Sequence, residues 1–295
     1  MAAADPDREG LERLAERYVP GRGPVHIDRL GSGLVNRSYR VTRDGKRFSL
    51  RLAAPRAAEL GLDRAWECRV LRLAAGAGLA APVEHCEPEA GILVARWVEG
   101  TCWSAGEAGS SEAIDRVASL VRRMHALPAL PRPRCVSPAE WIAFYRTALG
   151  HRRREIDREA DSLLAAAARE PAPGSALCHS DLHVGNLIIP AGEPVILDWE
   201  YAHMADPWWD LAGWASNGDL AAERRDLLLA RYLARAPAPA ETARLGRLAW
   251  LYDYVCLLWS ELYSRSRGGG AVASRAALLR QRLGDEAADR GGDGA

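Results

Sequence analysis

The chain predicts an α+β protein in two parts: a small antiparallel sheet of five strands with one helix, then a larger, mainly helical part. Three observations carry this. Between residues 25 and 97 short apolar-alternating runs are bounded by turn residues, with one helical stretch among them. From Thr101 onward apolar residues recur at helical spacing. Between Ala176 and Tyr201 the pattern returns to short strands around a polar loop. The expected boundaries are 1–98 for the first lobe, 99–283 for the second, and 284–295 for a Gly/Asp-rich disordered tail.

Composition narrows the class. With 295 residues, 48% hydrophobic and 26% charged, the chain reads as globular with a substantial core. The 39 basic and 39 acidic residues cancel. No broad field for nucleic acid or a membrane surface is left, so neither is an expected partner. Lys46 is the only lysine. Cysteines 68, 86, 102, 135, 178 and 256 form no C-x-x-C pair and sit mostly in apolar runs, so reduced thiols are expected. The polar, acidic start is unlike a signal peptide, and no apolar run approaches spanning length. A cytoplasmic location is the default expectation.

In order along the chain, residues 9–19 form a short amphipathic helix, ended by Pro20-Gly21 and Gly23-Pro24. Strands follow at Val25–Leu30, Tyr39–Thr42 and Arg47–Leu52, the last two joined by an Asp44-Gly45 turn. The glycine-containing segment Gly31–Ser38 between the first two strands can approach phosphates closely, because glycine exposes backbone N–H groups. A helix opens at Leu62-Asp63 and ends near Gly76–Gly78. Strands at Val83–Cys86 and Ile92–Trp97 complete the sheet. Ile114, Val117, Leu120, Val121 and Met124 then mark a helix. Ser137-Pro-Ala-Glu140 is a capping box opening a long helix that runs towards Arg169. Pro171–Gly174 is a linker. Further helices are expected from Pro207, from Leu220 to Leu233, from Glu241 to Arg265 and near Ser274–Leu283.

The stretch Ala176–Tyr201 carries the chemistry. It reads strand, polar loop, strand, tight turn, strand, with the turn at Ala191-Gly192 returning Asp198 towards Asn186. His179, Asp181 and Asn186 match the H-x-D-x-x-x-x-N pattern of a kinase catalytic loop. There the Asp accepts the proton of the attacking hydroxyl and the Asn holds a metal ion, while a second Asp after a short hairpin holds Mg²⁺ on the nucleotide phosphates. A lone H-x-D would be an ordinary polar loop; loop, hairpin and terminal Asp together are specific. With that motif in place, Ser32, Gly33, Asn36 and Ser38 become phosphate-loop candidates.

His-Ser-Asp-Leu-His-Val-Gly-Asn, Ile-Leu-Asp-Trp-Glu-Tyr and Asp206-Pro-Trp-Trp-Asp-Leu-Ala212 resemble the aminoglycoside phosphotransferase and choline/thiamine kinase superfamily. The resemblance also covers Gly31–Leu52 and Leu62–Gly78. It implies a two-lobed protein-kinase-like fold and ATP- and Mg²⁺-dependent phosphorylation of a small-molecule hydroxyl. It further implies that Asp181 is the base, that Asn186 and Asp198 hold Mg²⁺, and that the backbone at Val98 meets the adenine. Arg51 stands at the third-strand position where kinases place a lysine, with Glu67 as its helix partner. His179 and Asp210 are expected to support the loop.

For the acceptor, the helix Trp250-Leu-Tyr-Asp-Tyr254 puts Trp250, Asp253 and Tyr254 on one face, with Glu200 and Trp208 just beyond Asp198. A carboxylate inside an apolar run needs a partner. A small hydroxylated cation walled by aromatic rings supplies one, choline first, then thiamine or ethanolamine. An aminoglycoside is the alternative acceptor. A nucleotide-binding pseudokinase or adaptor, and a metal-dependent hydrolase, are the readings from other classes. Asp181, Asn186 and Asp198 together weigh against the adaptor, and the N-terminal sheet against the hydrolase.

Overall fold

Asp44 and Gly45 both take positive φ, 50° and 71°, as a two-residue hairpin turn matched to strand twist requires. They join β2 (Asn36–Arg43) to β3 (Lys46–Ala53). With β1 (His26–Arg29), β4 (Val83–Glu87) and β5 (Ile92–Arg96) these form one antiparallel sheet in the order β1-β2-β3-β5-β4. The computed structural model describes residues 7–31, 36–53, 57–150, 155–170, 174–190, 192–267 and 270–292. The chain divides into two compact units, Met1–Trp103 with Gly185–Ala202, and Ser104–Val184 with His203–Ala295. Residues 185–202 thus group with the N-terminal unit, although the expected boundary placed them in the second lobe.

In the first unit, α1 (Arg8–Tyr18) is N-capped by Asp7. Its Ala15 meets Tyr39, Val41, Phe48, Leu50, Leu52, Ile92 and Val94 in a core on one face of the sheet. Strand periodicity of two buries Phe48, Leu50 and Leu52 there and leaves Arg51 on the opposite face. α2 (Arg64–Gly76) is capped by Asp63, whose carboxylate accepts the Trp66 N–H at 2.9 Å. Cys68 of α2 and Cys86 of β4 are joined in a disulfide, their Cα atoms 6.1 Å apart. This corrects the expectation of reduced thiols for these two, while Cys102, Cys135, Cys178 and Cys256 are free; the pair spans helix and strand, so no local spacing betrays it. A hairpin of two short strands, β7 (Leu187–Ile188) and β8 (Val195–Ile196), completes the unit. Gly100 passes so close to it that a Cβ would lie 2.6 Å from Ile188 Cγ2.

In the second unit, β6 (Ala176–Cys178) pairs with β9 (His203–Ala205). α3 (Ser111–His125) buries the expected stripe of Ile114, Val117, Leu120, Val121 and Met124. The capping box at Ser137 and Glu140 forms, but the helix it opens, α4 (Pro138–Leu149), stops at Gly150 in the left-handed conformation. A separate α5 (Glu155–Ala167) follows, so the single long helix is corrected to two. After α6 (Trp208–Asn217) and α7 (Ala222–Leu233) comes the 29-residue α8 (Pro239–Arg267), which packs on α4, α5, α6, α7 and α9 (Gly270–Gly292). α9 continues to Gly292, so residues 284–292 are helical where a disordered tail is expected. Among the described residues no helix is long and apolar enough to cross a membrane.

Candidate active site

In the first unit the β7–β8 hairpin does what its sequence implies. Leu197 N–H donates to the Asn186 carbonyl at 2.8 Å, which brings Asn186 and Asp198 to the same end of the hairpin. β8 ends at Ile196, and Asp198 itself is left-handed, φ 57° and ψ 63°, before a 3-10 turn at Trp199–Tyr201. Such a conformation is disfavoured for a residue with a Cβ and collects at functional sites.

Arg51 lies between two acidic partners. Its Nη2 meets Glu67 Oε1 at 2.6 Å and its Nη1 meets Asp198 Oδ1 at 3.0 Å. Burial alone would lower its pKa; Glu67, Asp198 and Glu200 outweigh that and raise it. Arg51 is therefore a fixed cation, in register as expected.

The sequence reading missed Arg64. It donates to Glu67 and Glu200, each at 2.8 Å, and to Asn36 Oδ1 at 2.8 Å. Asn36 in turn donates to Glu200 at 2.7 Å. Two assignments are corrected by this. Glu200, only 4% exposed, has its charge met by Arg64 and so is not waiting for an acceptor. Asn36, also buried, spends both ends of its amide on the same network. Ser38 faces Arg51 across the β2–β3 ladder. Ser32 and Gly33 lie outside the described residues, and Val98 sits in the irregular segment after β5.

Glu67, Asp198 and Glu200 against Arg51 and Arg64 are three carboxylates against two guanidiniums, an excess of one negative charge. Asp198 is the accessible member, 38% exposed against 2% for Glu67 and 4% for Glu200. An accessible carboxylate in a cluster with an excess of negative charge suits a hard cation such as Mg²⁺. For Arg51, Arg51→Ala should cost most of the turnover while Arg51→Lys keeps a good part of it, since only the fork is lost. Steady-state rates of the two variants check this, and equal activity of Ala and wild type would contradict it.

In the second unit the catalytic-loop candidates are held by α6. Asp210 accepts the N–H of His179 at 3.0 Å and of Ser180 at 2.7 Å. Ser180 is left-handed at φ 67° and presents Asp181, which is 34% exposed. Both support assignments, His179 and Asp210, thus have contacts on the loop: His179 is fully buried, and its Nδ1 lies 3.3 Å from the Asp181 N–H. His183 lies 3.8 Å from Asp181, and burial, with His179 and Arg275, keeps its pKa below the usual value against the pull of Asp181.

Behind Asp210 stands His125, 3.0 Å away through Nε2, with its Nδ1 2.9 Å from the Tyr232 hydroxyl. In the sequence His125 carries no signal beyond its place at the end of an apolar helical stripe. Burial pushes the Asp210 carboxyl up, but the bond and charge of His125 and the Ser180 N–H prevail and hold it below the usual carboxylate value. A depressed folded-state pKa contributes stability above the unfolded value of about 4 and loses it as pH falls through the folded one. Asp210→Ala should cost about 3–5 kcal/mol at neutral pH, because it breaks a buried pair. Urea denaturation at neutral pH and below pH 4 checks both size and sign: the gap between variant and wild type should narrow in acid.

The expected acceptor cluster is not brought together as an open cage. Asp253 is paired with Arg282 of α9 and accepts the Ser216 hydroxyl. The premise that it needs a cationic ligand is therefore corrected: its partner comes from the chain, 29 residues on. Tyr254 is buried, donating to Asp157 at 2.5 Å and accepting from Arg146 at 3.0 Å. Trp250, 1% exposed, stacks on Tyr254, and Trp208 lies under Arg244 with 4.6 Å from Cζ to the ring centroid. These rings are core. A cavity of about 100 Å³ remains beside Asp253, lined among others by Ser216, Asp219, Arg225, Trp250 and Arg282.

Comparison with known proteins fixes the family. Residues 26–245 match the phosphotransferase enzyme family, well over half of the sequence, and the chain belongs to that family. Among solved structures it is similar to a choline/ethanolamine kinase family protein from Mesorhizobium loti, at 25% identity and TM-score 0.75, covering 92% of this chain and 90% of that one. It is also similar to a choline kinase from Streptococcus pneumoniae, at 22% identity and TM-score 0.75 over 93% and 98% of the two chains, which has in addition been solved with AMP. A macrolide 2′-phosphotransferase from Brachybacterium faecium follows at 21% identity and TM-score 0.62, over 92% and 97%. No curated protein matches. The α+β, protein-kinase-like fold is that of the choline kinases.

Proposed function

We propose that this protein transfers the γ-phosphoryl group of ATP to a hydroxyl of a small molecule. The observation that carries the reading is Arg51, which closes an ion pair with Glu67 of α2 through one nitrogen and binds Asp198 through another. Kinases require a β3 cation paired with a helix glutamate and an Asp for the metal, both in place. A structural salt bridge accounts for the first contact but not for the strained, accessible Asp198 beside it.

The first unit supplies the nucleotide side. Arg51 contacts phosphate oxygens, Ser32 and Gly33 belong to the phosphate loop, Ser38 stands beside Arg51 on β2 on the same nucleotide side, and Val98 offers backbone to the base. Asn186 and Asp198 would hold Mg²⁺, which would neutralise charge on the phosphates. The AMP complex of the choline kinase relative supports a nucleotide. The second unit supplies Asp181, which orients the acceptor hydroxyl and takes its proton as the O–P bond forms; ADP leaves. Rate enhancement comes from positioning and charge neutralisation. The full motif set weighs against a nucleotide-binding adaptor.

For the acceptor we propose a small hydroxylated cation of the choline type, supported by the names of the relatives with the higher TM-scores. Asp253 no longer contributes to this choice. The test is kcat/KM for choline, ethanolamine, thiamine, kanamycin and a macrolide, read as ADP release. Choline or ethanolamine should lead. Preference for kanamycin or the macrolide would sink the choline reading while leaving the kinase intact.

A further inference from the structure

α6 grips the catalytic loop at both of its ends. Asp210, in its first turn, takes the N–H groups of His179 and Ser180. Asn217, its last residue, donates to the Leu182 carbonyl at 3.3 Å. Seven residues apart, the two side chains share one helix face about two turns from each other. The loop therefore lies along α6, with Asp181 between the anchored residues.

A third anchor comes from α8. The Tyr252 hydroxyl donates to the Ser180 carbonyl at 3.4 Å and accepts from Asn217 Nδ2 at 3.2 Å. Both peptide carbonyls flanking Asp181 in sequence, those of Ser180 and Leu182, are thus held. Tyr252 is 3% exposed, and burial keeps its phenol protonated and able to donate. Space for the ring is made by Gly213, on the same α6 face, where a Cβ would lie 2.9 Å from Tyr252 Cε2. A glycine inside a helix is unfavourable relative to alanine, and the approach of this ring explains it.

We propose that Asn217 and Tyr252 are positioning residues for Asp181: a two-sided carbonyl clamp that sets the direction of the carboxylate. The proposal rests on the reading of Asp181 as the base. Neither residue touches the reacting atoms. Asn217→Asp keeps the shape but replaces a donor with an acceptor facing a carbonyl. Tyr252→Phe keeps the ring and removes the donor. Gly213→Ala displaces the ring while leaving both donors.

The experiment measures three quantities on the full chain: kcat and KM for ATP, hydrogen–deuterium exchange of the peptide covering 179–184, and the melting temperature. Each variant should fold, exchange faster at 179–184, and lose roughly 10- to 100-fold in kcat, the scale of a small misplacement, with KM for ATP unchanged. Wild-type exchange and wild-type kcat in Asn217→Asp and Tyr252→Phe would overturn the clamp, and so would either change without the other. If Tyr252→Phe fails to fold, Asn217→Asp decides alone. If the wild type itself transfers no phosphate, the kinase reading fails, and loop exchange alone decides the clamp.

Discussion

Asp181→Asn should bind ATP with unchanged affinity and lose phosphoryl transfer. The asparagine keeps the size of the side chain but cannot accept the hydroxyl proton, and loss of a general base costs about 10²–10⁴-fold in rate. The loop itself should survive, because its anchors are elsewhere: Asp210 on the His179 and Ser180 N–H groups, and Asn217 on the Leu182 carbonyl. ATP binding by calorimetry and turnover by ADP release separate the two effects. Near-full turnover in the variant would remove Asp181 from the base role.

Asp198→Ala should fail differently. It removes the accessible carboxylate of the first-unit cluster and leaves Glu67 and Glu200 against Arg51 and Arg64, so the excess negative charge disappears. A site without that excess no longer favours a divalent cation, and Mg·ATP should bind weakly, with turnover recovering only at high Mg²⁺. Alanine tolerates the left-handed region at this position less well than aspartate, so the melting temperature of the variant is measured alongside to separate any stability loss from the loss of metal binding. A magnesium titration of the variant gives the answer, and an unchanged magnesium dependence would contradict the metal assignment.

Much of this was legible in the sequence where the signal is local. The Asp44-Gly45 turn fixes the β2–β3 register, and with it the face on which Arg51 emerges. The Ser137–Glu140 box marks a helix start, and the hairpin after Asn186 returns Asp198. What escaped joins distant parts of the chain. Arg64 reaches Glu200 136 residues on, and Tyr252 reaches back 72 residues to Ser180. Nothing in the surroundings of either end announces its partner. Asp253 meets the same limit from the other side. Physical chemistry was right that a buried carboxylate needs a partner, but not that it must be a ligand, because Arg282 lies in a helix beyond a glycine-rich break. Cys68 and Cys86 meet only once α2 has docked on β4. α4 ends on Gly150 in the left-handed conformation, a stop that a glycine at the end of a helical stretch signals only weakly in sequence.

The central claim, that the γ-phosphoryl group moves from ATP to an acceptor hydroxyl, is tested most directly by following a labelled γ-phosphate in the presence of Mg²⁺ and the acceptor panel headed by choline. The account predicts label in a phosphorylated alcohol with wild type, and none with Asp181→Asn. Label that stays in ATP, or passes only to inorganic phosphate with every acceptor offered, would contradict it.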